Sequence, residues 1–130
     1  MYLRSVATLN LDTRAGFDSG DTMTSGELDL QKYFVNPGKR EMKATLAAGI
    51  TTTDSGTFSY KLQESNTTVD SDFSDISGAA FTNTVDSDTG ALSVQQLHFF
   101  TSKRYVRGAG TIVGGTWFVA AAVFAVKRDA

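Results

Sequence analysis

The longest apolar run of the sequence lies near its C-terminus, and it limits most strongly how the chain folds. Residues Thr116–Val126 read TWFVAAAVFAV, and Lys127 and Arg128 close the run. A strand that is apolar on both faces needs cover on both faces. The run is also far shorter than the roughly 20 residues of a membrane-spanning helix. We therefore expect a central strand of a sandwich, or a strand shared with a neighbouring copy, and no membrane partner.

Composition narrows the class of protein without identifying it. The chain has 130 residues, of which 41% are hydrophobic and 20% charged, as in an ordinary folded domain. It has no cysteine, which excludes disulfides, thiol catalysis and cysteine-ligated zinc. The net charge of −2 gives no long-range attraction to nucleic acid, so we expect no nucleic-acid partner. The residues from Met1 to Thr8 lack the apolar core of a signal peptide, and we expect no export signal.

Short runs of β-branched and aromatic residues, separated by clusters of Gly, Asp, Ser and Asn, dominate the sequence. Apolar residues at helical spacing are missing. This pattern predicts an all-β protein: a single-domain antiparallel β-sandwich, jelly-roll-like, with about eight strands. Residues 1–26 are expected to form an N-terminal strand with a flexible arm or loop. Residues 27–130 are expected to form the sandwich body of the same folding unit.

Turn residues divide the chain into the predicted strands. The strands are placed over residues 5–12, 27–35, 41–48, 57–65, 91–100, 104–113 and 116–126, with a shorter segment around Gly78. Residues 13–26, Asn36–Lys39 and Asp86–Gly90 are interpreted as loops or turns. Gly114 and Gly115 form a two-residue hairpin signal, since both tolerate positive φ.

Candidate catalytic and metal sites are few. His98 is the single histidine and lies in a predicted strand, where we interpret it as a surface or packed residue. Two acidic clusters, Asp70–Asp72 and Asp86–Gly90, resemble calcium loops, but the second lacks the downstream Glu and both suit turns. No pair among the 14 acidic residues stands out as a glycosidase pair. The sequence therefore predicts no catalytic residue, no metal and no cofactor.

A cationic block, Lys103–Arg107, opens one of the C-terminal strands. Such a block with exposed aromatics would suit nucleic acid, but the net acidic chain argues against that. Arg and Tyr are also enriched at protein interfaces. We predict a protein interface made by polar contacts from Lys103, Arg104, Tyr105 and Arg107 and apolar contacts from Trp117 and Phe118. A solvated strand edge, protected from aggregation by its charges, is the competing interpretation.

The second half of the chain resembles small head structural proteins of tailed bacteriophages and prophages. The resemblance lies in Leu62–Ser65, Phe73–Gly78, the Lys103–Arg107 block and the closing Ala125–Arg128. It implies a non-enzymatic virion protein similar to capsid decoration, or cement, proteins. The implied partners are the major capsid protein and other copies of the chain, with a trimer favoured. The implied location is the capsid exterior of a virion assembled in the host cytoplasm.

Two further functions compete with the capsid hypothesis. Jelly rolls also host sugars on exposed aromatic rings. A carbohydrate-binding module would have a platform drawn from Tyr2, Tyr33, Tyr60, Tyr105 and Trp117, although each ring also suits core packing. A fibre base or tail protein is the alternative among phage components, and an enzyme is the third class.

Overall fold

Two antiparallel sheets, packed against a common core, account for the described part of the chain. A computed structural model describes residues 3–18, 23–25, 27–32, 40–50, 56–82, 84–86 and 93–128. The strands are β1 (Leu3–Asp18), β2 (Met23–Thr24), β3 (Leu28–Asp29), β4 (Arg40–Ile50), β5 (Gly56–Ser65), β6 (Ser74–Ala80), β7 (Thr84–Asp86), β8 (Ser93–Thr101), β9 (Tyr105–Val113) and β10 (Thr116–Arg128). Two single turns of 3-10 helix span Leu30–Lys32 and Asp70–Asp72. Within the described ranges, no helix has the length and apolar character needed to cross a membrane.

The strand order is that of a jelly roll. Sheet A has the order β1-β10-β4-β8. Sheet B has the order β2-β9-β5-β6, with β3 also paired to β9 and β7 to β5. Strands that follow one another in the chain, such as β4 and β5 or β9 and β10, occupy corresponding positions in opposite sheets. This alternation rolls one long antiparallel ribbon into two sheets. The predicted all-β, jelly-roll-like sandwich is confirmed.

The apolar C-terminal run forms a central strand, as predicted. β10 pairs with β1 on one side and with β4 on the other. Trp117 and Val119 point into the core and are buried, whereas Phe118 and Ala120 lie on the outer face of sheet A. Phe118 is half-buried and Ala120 is exposed. The strand is therefore apolar on both faces, but the described residues bury only the inner one.

Aromatic side chains fill the centre of the sandwich. The Trp117 ring lies 5.6 Å from the Phe58 ring, which stacks on Tyr60 at 5.9 Å between ring centroids. The indole Nε1–H of Trp117 donates to the carbonyl oxygen of Gly114 at 3.0 Å, so its polar atom is satisfied. Tyr60 also lies across Gly108 of β9, where an added Cβ would come within 1.8 Å of the phenol oxygen. This close approach requires glycine at position 108.

Several predicted boundaries need correction. The first strand continues beyond Asp12 to Asp18 in register with β10, so this part of the expected arm or loop belongs to sheet A. The strand expected over 27–35 is only Leu28–Asp29, followed by a 3-10 turn, because Asp29 accepts a hydrogen bond from the Gln31 N–H at 3.1 Å. The Gly114-Gly115 hairpin turn is confirmed, with φ of 81° and 73°. The Asn36–Lys39 turn and most of Asp86–Gly90 lie outside the described residues.

Candidate functional site

The outer face of sheet B carries the densest group of polar side chains in the described ranges. Alternation along β5 points Phe58, Tyr60 and Leu62 into the core. It points Ser59, Lys61 and Gln63 outward. The neighbouring strands bring further side chains to the same face, because Arg107 and Ala109 of β9 pair with Gln63 and Lys61. Asp75 and Ala80 of β6 pair with the same two residues from the other side.

These side chains form one continuous hydrogen-bonded row, which we call the sheet B row: Lys61, Asp75, Gln63, Arg107 and Asp70. Asp75 accepts from the Lys61 Nζ at 2.9 Å and from the Gln63 Nε2 at 3.0 Å. The Oε1 of Gln63 accepts from the Arg107 Nε at 2.9 Å, and the Arg107 Nη1 donates to the Asp70 Oδ1. Each of the two cations thus has a carboxylate partner, and the row as a whole is electrically balanced.

Arg107 is the most firmly held member of the row. Its side chain is only 11% exposed, and its guanidinium lies 4.1 Å from the centroid of the Phe73 ring. Stacking on an aromatic face and two hydrogen bonds fix the plane of the guanidinium. Its partner Asp70 is 85% exposed on the 3-10 turn that precedes β6. Arg107 is therefore the rigid, largely buried end of the row, and Asp70 is the exposed carboxylate beside it.

Asp75 stays ionised over the whole physiological range. Its pKa lies below the ordinary value of 3.8, because the Gln63 amide and then the Lys61 ammonium donate hydrogen bonds to the carboxylate. A carboxylate held in this way serves as an acceptor and not as a proton donor at neutral pH.

A cleft of about 260 Å³ lies beside the row. Its lining comprises Ser59, Tyr60, Lys61, Ala80, Phe81, Ala109 and Thr111. The small side chains of Ala80 and Ala109 flank Lys61 in the register, and this keeps the space above them open. Hydroxyl groups from Ser59 and Thr111 and the ammonium of Lys61 give the cleft a polar rim.

The predicted interface block is largely engaged within its own chain. Arg104 forms a two-pronged ion pair with Asp29 of β3 at 3.0 and 2.9 Å, which raises the pKa of this guanidinium above its ordinary value. It also lies 4.9 Å from the Tyr105 ring. Lys103 is half-buried, and its backbone N–H donates to the Thr101 Oγ1 at 3.2 Å. Tyr105 and Arg107 share the outer face of sheet B, as alternation along a strand requires.

Trp117 and Phe118, the two predicted apolar contacts, lie in different environments. Trp117 is fully buried in its own core, so it has no surface to offer a partner in this fold. The reason is that Trp117 and Val119 face the inner side of β10, and the sequence of a strand that is apolar on both sides does not decide which side points inward. Phe118 lies on the opposite face and is half-buried. Its part in an interface, with that of Lys103, Arg104, Tyr105 and Arg107, stays a prediction.

The proposed aromatic platform for sugars does not form in the described residues. Tyr60 and Trp117 belong to the core, and Tyr105 is half-buried beside Arg104. Tyr2 and Tyr33 lie outside the described residues. Phe73, which the sequence analysis did not select, provides the aromatic surface of the sheet B row instead.

The catalytic and calcium candidates do not converge on a reactive centre. His98 is exposed on the outer face of sheet A, opposite Lys43 in register and on the other side of the sandwich from the row. Asp72 accepts a hydrogen bond from the Thr67 Oγ1 at 2.6 Å, and Asp70 is paired with Arg107. Within the described ranges, no group of three or more His, Asp or Glu residues is arranged to hold a metal ion.

Sequence reasoning missed most of the sheet B row. The sequence shows that Ser59, Lys61 and Gln63 alternate with the apolar residues of β5, but it does not show which side chains lie beside them. The closeness of Asp70 and Asp75 to β5 and β9 depends on the pairing of β6.

The similarity to solved structures supports the fold alone. No protein-family model matches the sequence, and no curated protein matches it significantly. The Clostridium thermocellum endo-1,4-beta-D-xylanase 10B chain with CBM22-1 and GH10 modules, complexed with xylohexaose, is similar over 95% of this chain and 26% of its own, with 12% identity and a TM-score of 0.51. The CBM22-1–CBM22-2 tandem domain of Paenibacillus barcinonensis Xyn10C is similar over 95% of this chain and 46% of its own, with 11% identity and a TM-score of 0.51.

A virus structure is similar at a lower level. A chain of the infectious bursal disease virus Gt strain is similar over 98% of this chain and 32% of its own length, with 9% identity and a TM-score of 0.49. That score is too low to carry an inference. The chain spans about a quarter of the xylanase chain and about half of the tandem domain, with coverages of 26% and 46%. These similarities show an all-β sandwich fold.

Proposed function

We propose that this chain is a non-catalytic β-sandwich module that binds carbohydrate on the outer face of sheet B. The observation that carries the proposal is the sheet B row beside its cleft. Sugar hydroxyls both donate and accept hydrogen bonds, so a site for them needs donors and acceptors at fixed positions. Lys61 and Arg107 supply donors, Asp75 supplies an acceptor, and Gln63 supplies both.

Charge balance indicates a neutral glycan. Lys61 pairs with Asp75 and Arg107 pairs with Asp70, which leaves no excess charge to attract an anion. A neutral polyol can bind such a row without separating the ion pairs. The cleft beside Lys61 offers space for one or a few rings.

The state of the carboxylates supports a binding role without catalysis. Glycoside hydrolysis needs one carboxylic acid with a raised pKa as proton donor. The pKa of Asp75 is shifted the other way, so this carboxyl group does not suit the acid step.

The first ligands to test follow from the similar xylanase chain, which is complexed with xylohexaose. Isothermal titration with xylohexaose, cello-oligosaccharides and other neutral oligosaccharides measures the affinity, and chromatography of the mixtures checks that no ligand is cleaved. We expect binding without cleavage. Lys61→Ala is expected to weaken binding by about ten-fold or more, since each lost hydrogen bond to a charged group is worth about 1.5–3 kcal/mol.

Lys43→Ala provides the matched control. Lys43 is also a half-buried lysine at the centre of a sheet, but it lies on the outer face of sheet A. Its removal should leave glycan affinity unchanged. A failure to bind any glycan in the panel contradicts the proposal. Equal losses from the Lys61 and Lys43 variants contradict the placement of the site.

A capsid-decoration role remains the second proposed function. One observation favours it: Val94, 60% exposed, lies beside Ala47 and Ala120 in the strand register, so these residues form a contiguous apolar strip on the outer face of sheet A. Such exposure is typical of protein contacts when the side chains are contiguous. The test is co-sedimentation of the purified chain with empty expanded capsids of a tailed phage whose genome encodes it. Binding that saturates at a fixed ratio per capsid subunit would support this role, and absence of binding would remove it.

A further inference from the structure

The sheet B row is assembled around an irregularity in β6. Ala80 of β6 lies opposite Lys61 of β5, but two residues further along β5, Gln63 lies opposite Asp75. Regular antiparallel pairing would put Gly78 opposite Gln63 instead. Gly78 lies in the shifted stretch and has a φ of 76°, a conformation that favours glycine. A bulge of this kind re-aims side chains, and here it brings the Asp75 carboxylate to the Lys61 ammonium.

The order of donors and acceptors fixes the orientation of Gln63 and Asp75. The Nε of Arg107 is a donor only, so the Oε1 of Gln63 faces it and accepts at 2.9 Å. The Nε2 of Gln63 therefore points to Asp75 and donates to its Oδ1 at 3.0 Å. The other carboxylate oxygen, Oδ2, accepts from the Lys61 Nζ at 2.9 Å. The row thus holds the Asp75 carboxylate in one plane with one oxygen beside the ammonium.

Lys61 and Asp75 form the end of the row that lies at the cleft, and both are accessible. Their side chains are 45% and 59% exposed. A lysine ammonium has three N–H groups, and Lys61 uses one of them on Asp75. A carboxylate has about four lone-pair sites, and Asp75 accepts hydrogen bonds from Lys61 and Gln63. The pair therefore offers a ligand one donor group and one acceptor group side by side.

A donor beside an acceptor matches two adjacent hydroxyl groups on a sugar ring. On neighbouring ring carbons, a staggered arrangement separates the two oxygens by about one hydrogen-bond length. The Lys61 Nζ and the Asp75 Oδ2 are separated by such a distance, 2.9 Å. One hydroxyl can therefore accept from the ammonium while its neighbour donates to the carboxylate. A single hydroxyl that contacted both atoms would complete a triangle, whose corners are much sharper than the directions of a hydroxyl proton and lone pairs.

We propose that Lys61 and Asp75 together recognise two adjacent free hydroxyl groups on one sugar ring. This inference rests on the carbohydrate-binding function proposed above and narrows its ligands. Chains of xylose or glucose linked 1,4 meet the requirement, because each internal ring keeps O2 and O3 free. Chains of glucose linked 1,3 do not meet it at their internal rings, because O3 forms the glycosidic bond and the free O2 and O4 lie on non-adjacent carbons.

The neighbouring strands leave room for the rest of the ring. Ala80 and Ala109 lie opposite Lys61 on its two sides, and neither side chain extends beyond its Cβ. Both residues line the cleft of about 260 Å³. Ser59 and Thr111 line the same cleft and can form hydrogen bonds with further hydroxyls of the glycan. The Lys61–Asp75 pair then selects the ring by its two adjacent hydroxyls, and the cleft accommodates it.

Cellohexaose and laminarihexaose test the proposal, because both are neutral hexasaccharides of glucose and differ in their linkage, 1,4 against 1,3. Isothermal titration of the full chain should show at least about ten-fold tighter binding of cellohexaose, since only the terminal rings of laminarihexaose keep adjacent free hydroxyls. Lys61→Met and Asp75→Asn should each reduce this preference to about three-fold or less, because each leaves one hydroxyl without its partner. Lys43→Met, on the outer face of sheet A, is the control and should keep the full preference.

The preference between the two hexasaccharides is the readout, because a variant that merely loosened the face would weaken the binding of both alike. Circular dichroism checks that each variant keeps its sheets. Equal affinity of the parent chain for the two ligands would overturn the proposal and leave the carbohydrate-binding function in place. A preference that persists in either variant would also overturn it, since the shape of the glycan chain would then be the feature that is recognised. Failure to bind either hexasaccharide overturns the proposal, whereas the proposed function fails only if the wider panel of oligosaccharides fails as well.

Discussion

The outer faces of the two sheets differ in chemistry although they enclose the same core. Sheet B carries a hydrogen-bonded row of charged and amide side chains, of which Arg107 is the most firmly held. Sheet A carries small and apolar side chains on its central strands, such as Ala47 and Ala120, and an exposed Val94 beside them. The described inner faces of both sheets are mainly apolar. The core therefore determines which residues face inward, while the outward-facing residues can differ in chemistry between the two sheets.

The largest expected effect tests whether both faces depend on one core. Trp117→Ala should lower the free energy of unfolding by about 3–5 kcal/mol, because it removes a fully buried ring that contacts Phe58 of the other sheet. Phe118→Ala, one position along on the half-buried outer face of sheet A, should cost clearly less. Urea denaturation followed by fluorescence of the remaining aromatics and by circular dichroism measures both. Equal costs would show that β10 does not separate an inner from an outer face as described.

The next effect separates the two arginines of the cationic block. Arg107→Ala should lower the free energy of unfolding by about 1–3 kcal/mol. The substitution removes the guanidinium that packs on the Phe73 ring, and it leaves the Gln63 amide oxygen without its donor. Arg104→Ala should cost clearly less, because 45% of that side chain is exposed and water screens its pair with Asp29. Urea denaturation of the two variants under the same conditions gives the ranking. The reverse ranking would show that the sheet B row contributes little to the rigidity of its face.

Much of the fold could be predicted from the sequence because its signals are local. The alternation of Phe58, Tyr60 and Leu62 identifies the inner face of β5, and the two glycines at 114 and 115 identify a hairpin. The extension of β1 to Asp18 could not be predicted, since residues 13–18 look like a loop and become a strand only through pairing with β10. The candidate site was harder to predict from the sequence than the fold. Arg107 is distant in the sequence from Asp70 and Asp75, and only the order β9-β5-β6 brings the three together.

Trp117 shows a second limit of sequence reasoning. The sequence of a strand that is apolar on both faces does not reveal which face points inward. A large aromatic residue such as Trp117 on that strand therefore also suits a protein interface. The register with Ile50 of β4 places Trp117 in the core instead. Burial of this large aromatic surface within its own chain contributes more to stability than a contact that forms only with a partner.

A smaller effect is expected on the outer face of sheet A. The hydroxyl oxygen of Thr45 is buried and has no hydrogen-bond partner among the described residues. Thr45→Val keeps the shape of the side chain and removes the unsatisfied group, so it should raise the free energy of unfolding by up to about 1 kcal/mol. Thr111→Val, on the exposed part of sheet B, should change the stability by less than about 0.5 kcal/mol and serves as the control. Loss of stability in the Thr45 variant would mean that this hydroxyl has a partner.

The smallest effect concerns pH and the sheet B row. Because folding lowers the pKa of Asp75 below 3.8, the ionised carboxylate contributes stability above its unfolded pKa. That contribution is lost as the pH falls through the lower pKa of the folded state. The stability difference between the parent chain and Asp75→Asn should therefore be constant above about pH 5 and should shrink below about pH 4. Urea denaturation at a series of pH values gives this difference, and a difference that grows toward acid would contradict the paired state of Asp75.

Backbone amide chemical-shift mapping with a bound neutral oligosaccharide tests the central claim most directly. In a titration with the tightest-binding oligosaccharide, we expect the amide signals of Lys61, Gln63, Arg107, Ala109 and Thr111 on sheet B to shift with a single saturation curve. The signals of Lys43, Val94 and His98 on sheet A should stay in place. Shifts confined to sheet A, or a titration that moves no amide of the sheet B row, would contradict the assignment of sheet B as the face that binds carbohydrate.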